Sequence, residues 1–157
     1  MKIGIISDTH DNLPKVEAAV KLFNRRKVNL VLHAGDYVAP FTVARLNKLS
    51  CDWLGVFGNN DGERQGLLKA SGGRIKEGPL RIELANKRIT LIHDINSINP
   101  PQEKADIIIF GHSHKEEIIR ESGRLLINPG ECSGWLTEKA TVAILDLDTL
   151  SVKTFKI

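Results

Sequence analysis

The sequence has few cysteines and no long apolar run, and neither sign of charge predominates. Two cysteines, Cys51 and Cys132, cannot build a disulfide framework, so a reducing cytoplasm is the expected compartment. No apolar stretch approaches the ~18 residues a membrane-spanning helix needs, which argues against a membrane partner. The apolar start, Met1-Lys2-Ile3-Gly4-Ile5-Ile6, meets Asp8 too early to be a signal peptide. The 22 Lys+Arg nearly balance 19 Asp+Glu, and the net +3 is dispersed, whereas a nucleic-acid binder concentrates basic residues in a stripe. Internal repeats, low-complexity tracts and linkers are also lacking. What is present is ordinary globular composition, 41% hydrophobic and 26% charged, which excludes disorder as the main state. A length of 157 residues suits one domain over 1–157, and a chain of this size buries roughly 68–70% of its unfolded surface. The five histidines are the distinctive count.

The first half alternates strand-like and helix-like segments. Lys2–Ile6 is a short apolar run of the kind a buried parallel strand shows. A helix is expected over residues 14–26: Pro14 suits its first turn, Asn12 or Asp11 can cap it, and Val16, Ala19, Val20 and Phe23 recur on one face. Residues 29–33 form a second strand, 40–49 a second helix with Val43, Leu46 and Leu49 on one stripe, and 52–57 a third strand ended by Gly58. This order favours a parallel core with right-handed crossovers. The second half is strand-rich. After a short helix near 63–70 come strands at 81–85 and 88–93, joined by a tight hairpin at Asn86-Lys87. Strands at 106–110, 124–128, 140–147 and 150–155 follow, with Asp148-Thr149 turning between the last two. An α/β half followed by a strand-rich half predicts two sheets packed face to face with helices outside.

Five polar clusters directly follow expected strands: Asp8-Thr9-His10, His33-Ala34-Gly35-Asp36, Gly58-Asn59-Asn60-Asp61, His93-Asp94 and Gly111-His112-Ser113-His114. Ligands of open α/β sheets bind in the crevice outside the carboxyl ends of the strands. A single Asp-x-His or Gly-Asp is usually a turn; five such loops at one edge make a site. Imidazole and carboxylate without thiolate suit divalent Mn, Fe, Co, Ni or Zn. Asp8, His10, Asp36, Asn59, His93, His112 and His114 are the candidate ligands. Seven exceed what one octahedral ion takes if water stays bound, and if one carboxylate bridges they supply two ions with four ligands each. Two ions roughly 3.5–4 Å apart can polarise a phosphoryl oxygen and generate hydroxide at neutral pH.

In this order the motifs resemble the calcineurin-like metallophosphoesterase superfamily over essentially the whole chain. The short length, the run Gly58-Asn59-Asn60-Asp61-Gly62-Glu63 and the late Asn128-Pro129-Gly130-Glu131-Cys132 are similar to its small YfcE-like and archaeal phosphodiesterases. The resemblance implies an α/β fold of two stacked mixed sheets flanked by helices, a four-layer α/β/β/α sandwich. It implies Asp8, His10, Asp36 and His114 around one ion, with Asp36 bridging to a second held by Asn59, His93 and His112. It further implies a metal-dependent phosphodiesterase that cleaves small phosphodiesters with hydroxide generated at the dinuclear centre, Mn or Ni being the favoured ions. Asp36, Asn60 and His112 are the residues expected to carry catalysis. Many relatives have histidine where this chain has Asn60, which can donate a hydrogen bond but cannot act as an acid at neutral pH. A slow enzyme favouring good leaving groups, such as aryl phosphodiesters, follows from that. Asp94 stands where relatives often have glycine, and either crowds the site or hydrogen-bonds a ligand histidine. The alternatives are a phosphomonoesterase, or a protein-interaction scaffold of the same fold, as in the retromer subunit; degeneration to a scaffold would erode the ligands first, and here all seven are intact.

Other residues read as structural. His33 is left over as a satisfied, partly buried histidine, Asp61 and Glu63 open the next helix, and Asn128-Pro129-Gly130-Glu131 is a turn. Trp53 and Trp135 are core or subunit-interface aromatics, Trp135 with Leu136 being the better interface candidate for a homo-oligomer.

Overall fold

Side-chain alternation along the first strand decides which layer each residue meets. In the computed structural model, which describes residues 1–157, Ile3 and Ile5 face a second sheet while Ile6 faces helices. The α/β half contains β1 (Lys2–Ile6), α1 (Leu13–Arg26), β2 (Leu30–His33), α2 (Pro40–Leu46), β3 (Asp52–Val56), α3 (Arg64–Ser71) and β4 (Ile75–Lys76). The strand-rich half contains β5 (Leu80–Leu84), β6 (Lys87–Leu91), β7 (Ile107–Ile109), β8 (Glu116–Glu121), β9 (Arg124–Pro129), β10 (Thr141–Asp146) and β11 (Ser151–Lys156). One mixed sheet has the order β11-β10-β1-β2-β3-β4, the other β5-β6-β7-β9-β8.

The sheets stack through Ile3, Ile5, Leu32, Val56 and Leu145 on one side and Ile89, Leu91, Ile107, Ile109 and Ile127 on the other. On the outer face of the first sheet, Val16, Val20 and Phe23 of α1, Val43 and Leu46 of α2 and Leu67 of α3 join Val31, Trp53 and Ile75. Burying each such side chain contributes about 1.5–3 kcal/mol. The outer face of the second sheet is covered by two 3-10 turns, Ile95–Ser97 and Pro100–Gln102, with Ile95 and Ile98 packing on Ile92, Ile108 and Phe110. Strands β1, β2, β3 and β4 are mutually parallel, as are β6, β7 and β9. The loops that follow β1, β2, β3, β6 and β7 are those that carry the polar clusters.

Two strands escape the sequence pattern. β4 is two residues long, and β8 is a largely exposed edge strand, Glu-Glu-Ile-Ile-Arg-Glu, whose charges blunt the edge and hide any alternation. The β5–β6 hairpin turns on Ala85 and Asn86, both at positive φ, and Lys87 already pairs with Leu84, so the turn lies one residue before the expected Asn86-Lys87. The α2 helix ends at Leu46, three residues short of the expected 49. Residues 147–150 link β10 to β11, and there Asp148 accepts a hydrogen bond from the Met1 ammonium at 2.6 Å.

Gly55 on β3 is wedged against the buried Tyr37. A Cβ there would fall 1.8 Å from the Tyr37 hydroxyl and 2.9 Å from the His33 carbonyl. Gly55→Ala should therefore lower the unfolding free energy by about 1–3 kcal/mol in urea titration; an unchanged midpoint would mean that Tyr37 swings clear at no cost.

Candidate metal centre

The turns that leave the strands place their polar residues in unusual backbone. Asp8, His10, Asp36, His112 and His114, five of the seven expected ligands, have φ between +40° and +66°. Left-handed backbone is uncommon outside glycine and clusters where function demands a particular side-chain direction. The parallel pairing of β1 and β2 continues beyond the strands: Asp8 N–H donates to Gly35 O at 3.0 Å, and the Thr9 and His10 N–H groups donate to Asp36 O at 3.0 and 3.1 Å. The loops after β1 and β2 are thus held in register. The first helix does not use the expected side-chain caps, because both candidates tie loops together instead. Asn12 Nδ2 donates to Ser133 O at 2.8 Å, and Asp11 Oδ1 accepts from the Thr42 hydroxyl at 2.8 Å.

All seven expected ligands converge. Donor atoms of Asp8, His10, Asp36 and His114 lie within 4.8 Å of one another. His10 Nε2 is 3.5 Å from Asp36 Oδ2, and His114 Nε2 is 3.6 Å from Asp8 Oδ1. The other Asp36 oxygen, Oδ1, lies 3.5 Å from His93 Nε2. Asn59 Oδ1 completes the second group, 2.7 Å from His93 Nε2 and 2.9 Å from His112 Nδ1. Asp36 therefore turns one carboxylate oxygen toward each group. Asp8 and Asp36 are buried, whereas Asn59, Asn60 and His112 are exposed, so the centre has a dry floor and an open side.

The lone pairs of this donor set fit divalent ions. Asp8 Oδ1 and His10 Nε2 are buried without a hydrogen-bond partner, which is rare for buried polar atoms and marks a place where another species belongs. His93 Nδ1 lies 2.8 Å from the Ala34 carbonyl, which can only accept, so the proton sits on Nδ1 and Nε2 presents its lone pair to Asp36 and Asn59. Burial pushes the Asp8 carboxyl above its ordinary range, and the facing Asp36 carboxylate adds to this. A cation between these groups would remove the penalty. Imidazole, carboxylate and amide oxygen together suit borderline or hard divalent metals.

Several residues around the centre were misread or missed from sequence. Asp61, expected to open α3, is buried at the end of the β3 loop. Its carboxylate accepts the N–H groups of Gly58, Asp36, Tyr37 and Val38 at 2.7, 3.1, 2.7 and 2.8 Å. Gly58 allows this closeness, since a Cβ there would fall 2.1 Å from Asp36 Oδ1. Glu131, expected to be part of a turn, is fully buried and accepts from His114 Nδ1 at 3.0 Å. Burial alone would raise its pKa, yet donors from His114, Thr137 and Ser133 hold it down to about 2. In both cases an acidic residue beside a glycine gave no local sign of burial. Asp94 does neither of the things expected of it: its carboxylate caps the 3-10 turn after β6, accepting from Asn96 N–H at 2.9 Å. His33 is fully buried, with Nδ1 accepting from Gly35 N–H and Nε2 3.1 Å from the Thr9 hydroxyl, which in turn donates to Asp36 O. Asn60 N–H and Nδ2 donate to the two oxygens of Asp36 at 2.8 and 2.7 Å.

A cavity of about 290 Å³ adjoins the centre beside His114 and includes Lys115 and Lys139. A larger cavity, about 420 Å³ around Cys51, Trp53 and Arg74, holds none of the converging residues.

Comparison with known proteins agrees with this geometry. The sequence profile of the calcineurin-like phosphoesterase superfamily domain matches residues 1–150. A phosphodiesterase of Methanocaldococcus jannaschii is 35% identical over 156 residues, 94% of either chain. The phosphodiesterase YfcE of Escherichia coli K12 is 28% identical over 172 residues, 97% of this chain and 91% of its own. A solved archaeal phosphodiesterase superposes with a TM-score of 0.92 at 32% identity, both chains being covered completely. Vps29 of Entamoeba histolytica, at 24% identity and TM-score 0.74 over 100% of this chain and 98% of its own, shares the fold.

The Asp61 carboxylate anchors both the Asp36 and the Asn59 loops. In Asp61→Asn the amide NH₂ would face donors that have lost their acceptor, at about 1–3 kcal/mol for each N–H left unpaired. Denaturant melts of the metal-free protein should show a loss of that order; a melt like the wild type's would mean that the loops do not depend on this carboxylate.

Proposed function

The chain belongs to the calcineurin-like phosphoesterase superfamily, and from that premise we propose that it is a metal-dependent phosphodiesterase acting on small phosphodiesters. The observation that carries the reading is the pair of unpartnered buried donors, Asp8 Oδ1 and His10 Nε2, beside a second buried carboxylate. Asp8, His10, Asp36 and His114 would hold one divalent ion, and Asp36, Asn59, His93 and His112 a second. Mn or Ni is favoured, although Fe, Co and Zn suit the same donors. When bound, such ions supply Lewis acidity toward a phosphoryl oxygen and make an adjacent water acidic enough to lose its proton near neutral pH.

The chain's own residues orient and neutralise. Asp36 turns one oxygen to each group, and Asn60 fixes that carboxylate by donating to both of its oxygens. Asn60 and His112 border the exposed side, where the substrate phosphoryl group would arrive. The Asn60 amide can donate to a phosphoryl oxygen but has no proton to give a departing alkoxide. Lys115 and Lys139 beside His114 add positive charge at the approach to the centre. The scaffold reading calls for an eroded ligand set, and the convergence of seven donors favours the enzyme.

Stripping divalent ions with a chelator should abolish hydrolysis of bis(p-nitrophenyl) phosphate, and Mn or Ni should restore it. Asp36→Asn should lower the rate by more than about 100-fold, since the ions contribute several kcal/mol to the transition state; activity that survives either treatment would refute the metal-dependent reading. Asn60→His should raise turnover on diesters with poor leaving groups, toward the ~10²–10⁴-fold that general-acid assistance supplies. No gain on those substrates, with aryl diesters unaffected, would mean that leaving-group protonation is not what limits the enzyme.

A further inference from the structure

Glu131 has more hydrogen bonds than any turn residue needs, and they reach two different structures. Its Oε2 accepts from His114 Nδ1 at 3.0 Å, the Ser133 hydroxyl at 2.8 Å and Trp135 N–H at 3.1 Å. Its Oε1 accepts from Leu136 N–H at 2.9 Å and from the Thr137 N–H and hydroxyl at 2.5 and 2.7 Å. The side chain is fully buried, its own carbonyl accepts from Thr141 N–H at 2.9 Å, and Ser133 N–H two residues on donates to Asp8 O at 3.1 Å. All these side-chain partners are donors, so the carboxylate's acceptor capacity is filled.

We infer that Glu131 is a positioning residue of the metal centre: it fixes His114 with the proton on Nδ1 and the Nε2 lone pair toward the ion, and ties that orientation to the loop at residues 135–137. The inference rests on reading the site as a metal centre. A carboxylate can only accept, so the partner nitrogen of His114 must be the protonated one, which leaves Nε2 bare, 3.6 Å from Asp8 Oδ1. The loop that both oxygens secure carries Trp135 and Leu136, 63% and 73% exposed, and Trp135 Nε1 reaches back to the carbonyl of His10, another expected ligand. One carboxylate therefore sets the direction of a ligand and the place of the apolar rim beside it.

Glutamine cannot do both. With its carbonyl oxygen toward the Leu136 and Thr137 donors, its NH₂ faces His114, as well as Trp135 N–H, and forces the His114 proton onto Nε2, the tautomer that cannot ligate through that nitrogen. The test is calorimetric titration of Mn(II) into chelator-stripped full-length protein. Wild type should take two ions. Glu131→Gln should bind one of them about 10–100-fold more weakly, the usual cost of losing the partner that orients a ligand, with the other affinity unchanged. Thr137→Val loosens only the loop end of the network and should bind both ions as wild type does. Wild-type affinities in Glu131→Gln, or an equal loss in Thr137→Val, would overturn the inference while leaving the metal centre standing. A wild-type protein that takes up no ion would overturn both. Should Glu131→Gln fail to fold, ¹⁵N shifts of the imidazoles in metal-free wild type decide the matter. His114 is expected as the Nδ1–H tautomer, and an Nε2–H tautomer refutes the assignment.

Discussion

Two carboxylates, Asp8 and Asp36, are buried at the ends of adjacent parallel strands, and the rest of the molecule is arranged around that constraint. Like charges in a dry interior are expensive unless a cation or a full set of donors offsets them. Neither carboxylate has a lysine or arginine partner; the imidazoles of His10, His93 and His114 are the titratable groups that face them. The pairing of β1 with β2 that continues from Asp8 to Gly35 and from Thr9 to Asp36 makes their proximity unavoidable once the strands pair. The stacking of the sheets then brings His93, His112 and His114 from the other sheet's loops to the same edge. An edge built from two sheets can present donors from five loops, which a single hairpin could not.

A second pair of carboxylates shows how the first is kept in place. Asp61 and Glu131 are as buried as Asp8 and Asp36, yet they are surrounded by N–H and O–H donors. Satisfied buried anions rigidify their surroundings, while unsatisfied ones mark where something else must bind. Asp61 locks the loops after β2 and β3, and Glu131 locks the loop after β9 against His114. Asp61 and Glu131 hold the frame; within it Asp8 Oδ1 is left without a partner, and Asp36 accepts side-chain and backbone donors from Asn60 alone.

Much of this was legible in the sequence, for identifiable reasons. Ligand candidates could be named because imidazoles and carboxylates followed each apolar run, and a parallel sheet gathers the ends of its strands. The strands themselves were legible wherever burial imposed an apolar run, as at Ile107–Ile109, and illegible where it did not, as at the charged edge strand β8. The roles of Asp61 and Glu131 were hidden because whether an acidic residue is buried depends on which distant backbone N–H groups the tertiary fold brings to it. The same holds for Asp11 and Asn12, whose local role as caps lost to partners in α2 and in the loop around Ser133. Residue type and spacing reveal what chemistry a loop can offer; they do not reveal which polar side chain will be used to anchor it.

Fold alone would leave the function open, since Vps29 shares the architecture at an identity too low to argue more. The turns that carry the converging donors come at a conformational cost. Asp8, His10, Asp36, His112 and His114 all sit at positive φ, and backbone held in sparsely populated regions costs of order 1 kcal/mol or more at each residue. Strain of this kind persists where the surrounding structure over-determines it, as the Asp61 and Glu131 networks do here, and where binding to the folded state repays it. Divalent ions that bind the native chain and not the unfolded one would stabilise it by mass action, by about 2.7 kcal/mol at a hundred times the dissociation constant. The strained turns, the unpartnered atoms and the two anchoring carboxylates are therefore parts of one arrangement, in which local instability is accepted so that candidate ligand atoms from both sheets point to the same place.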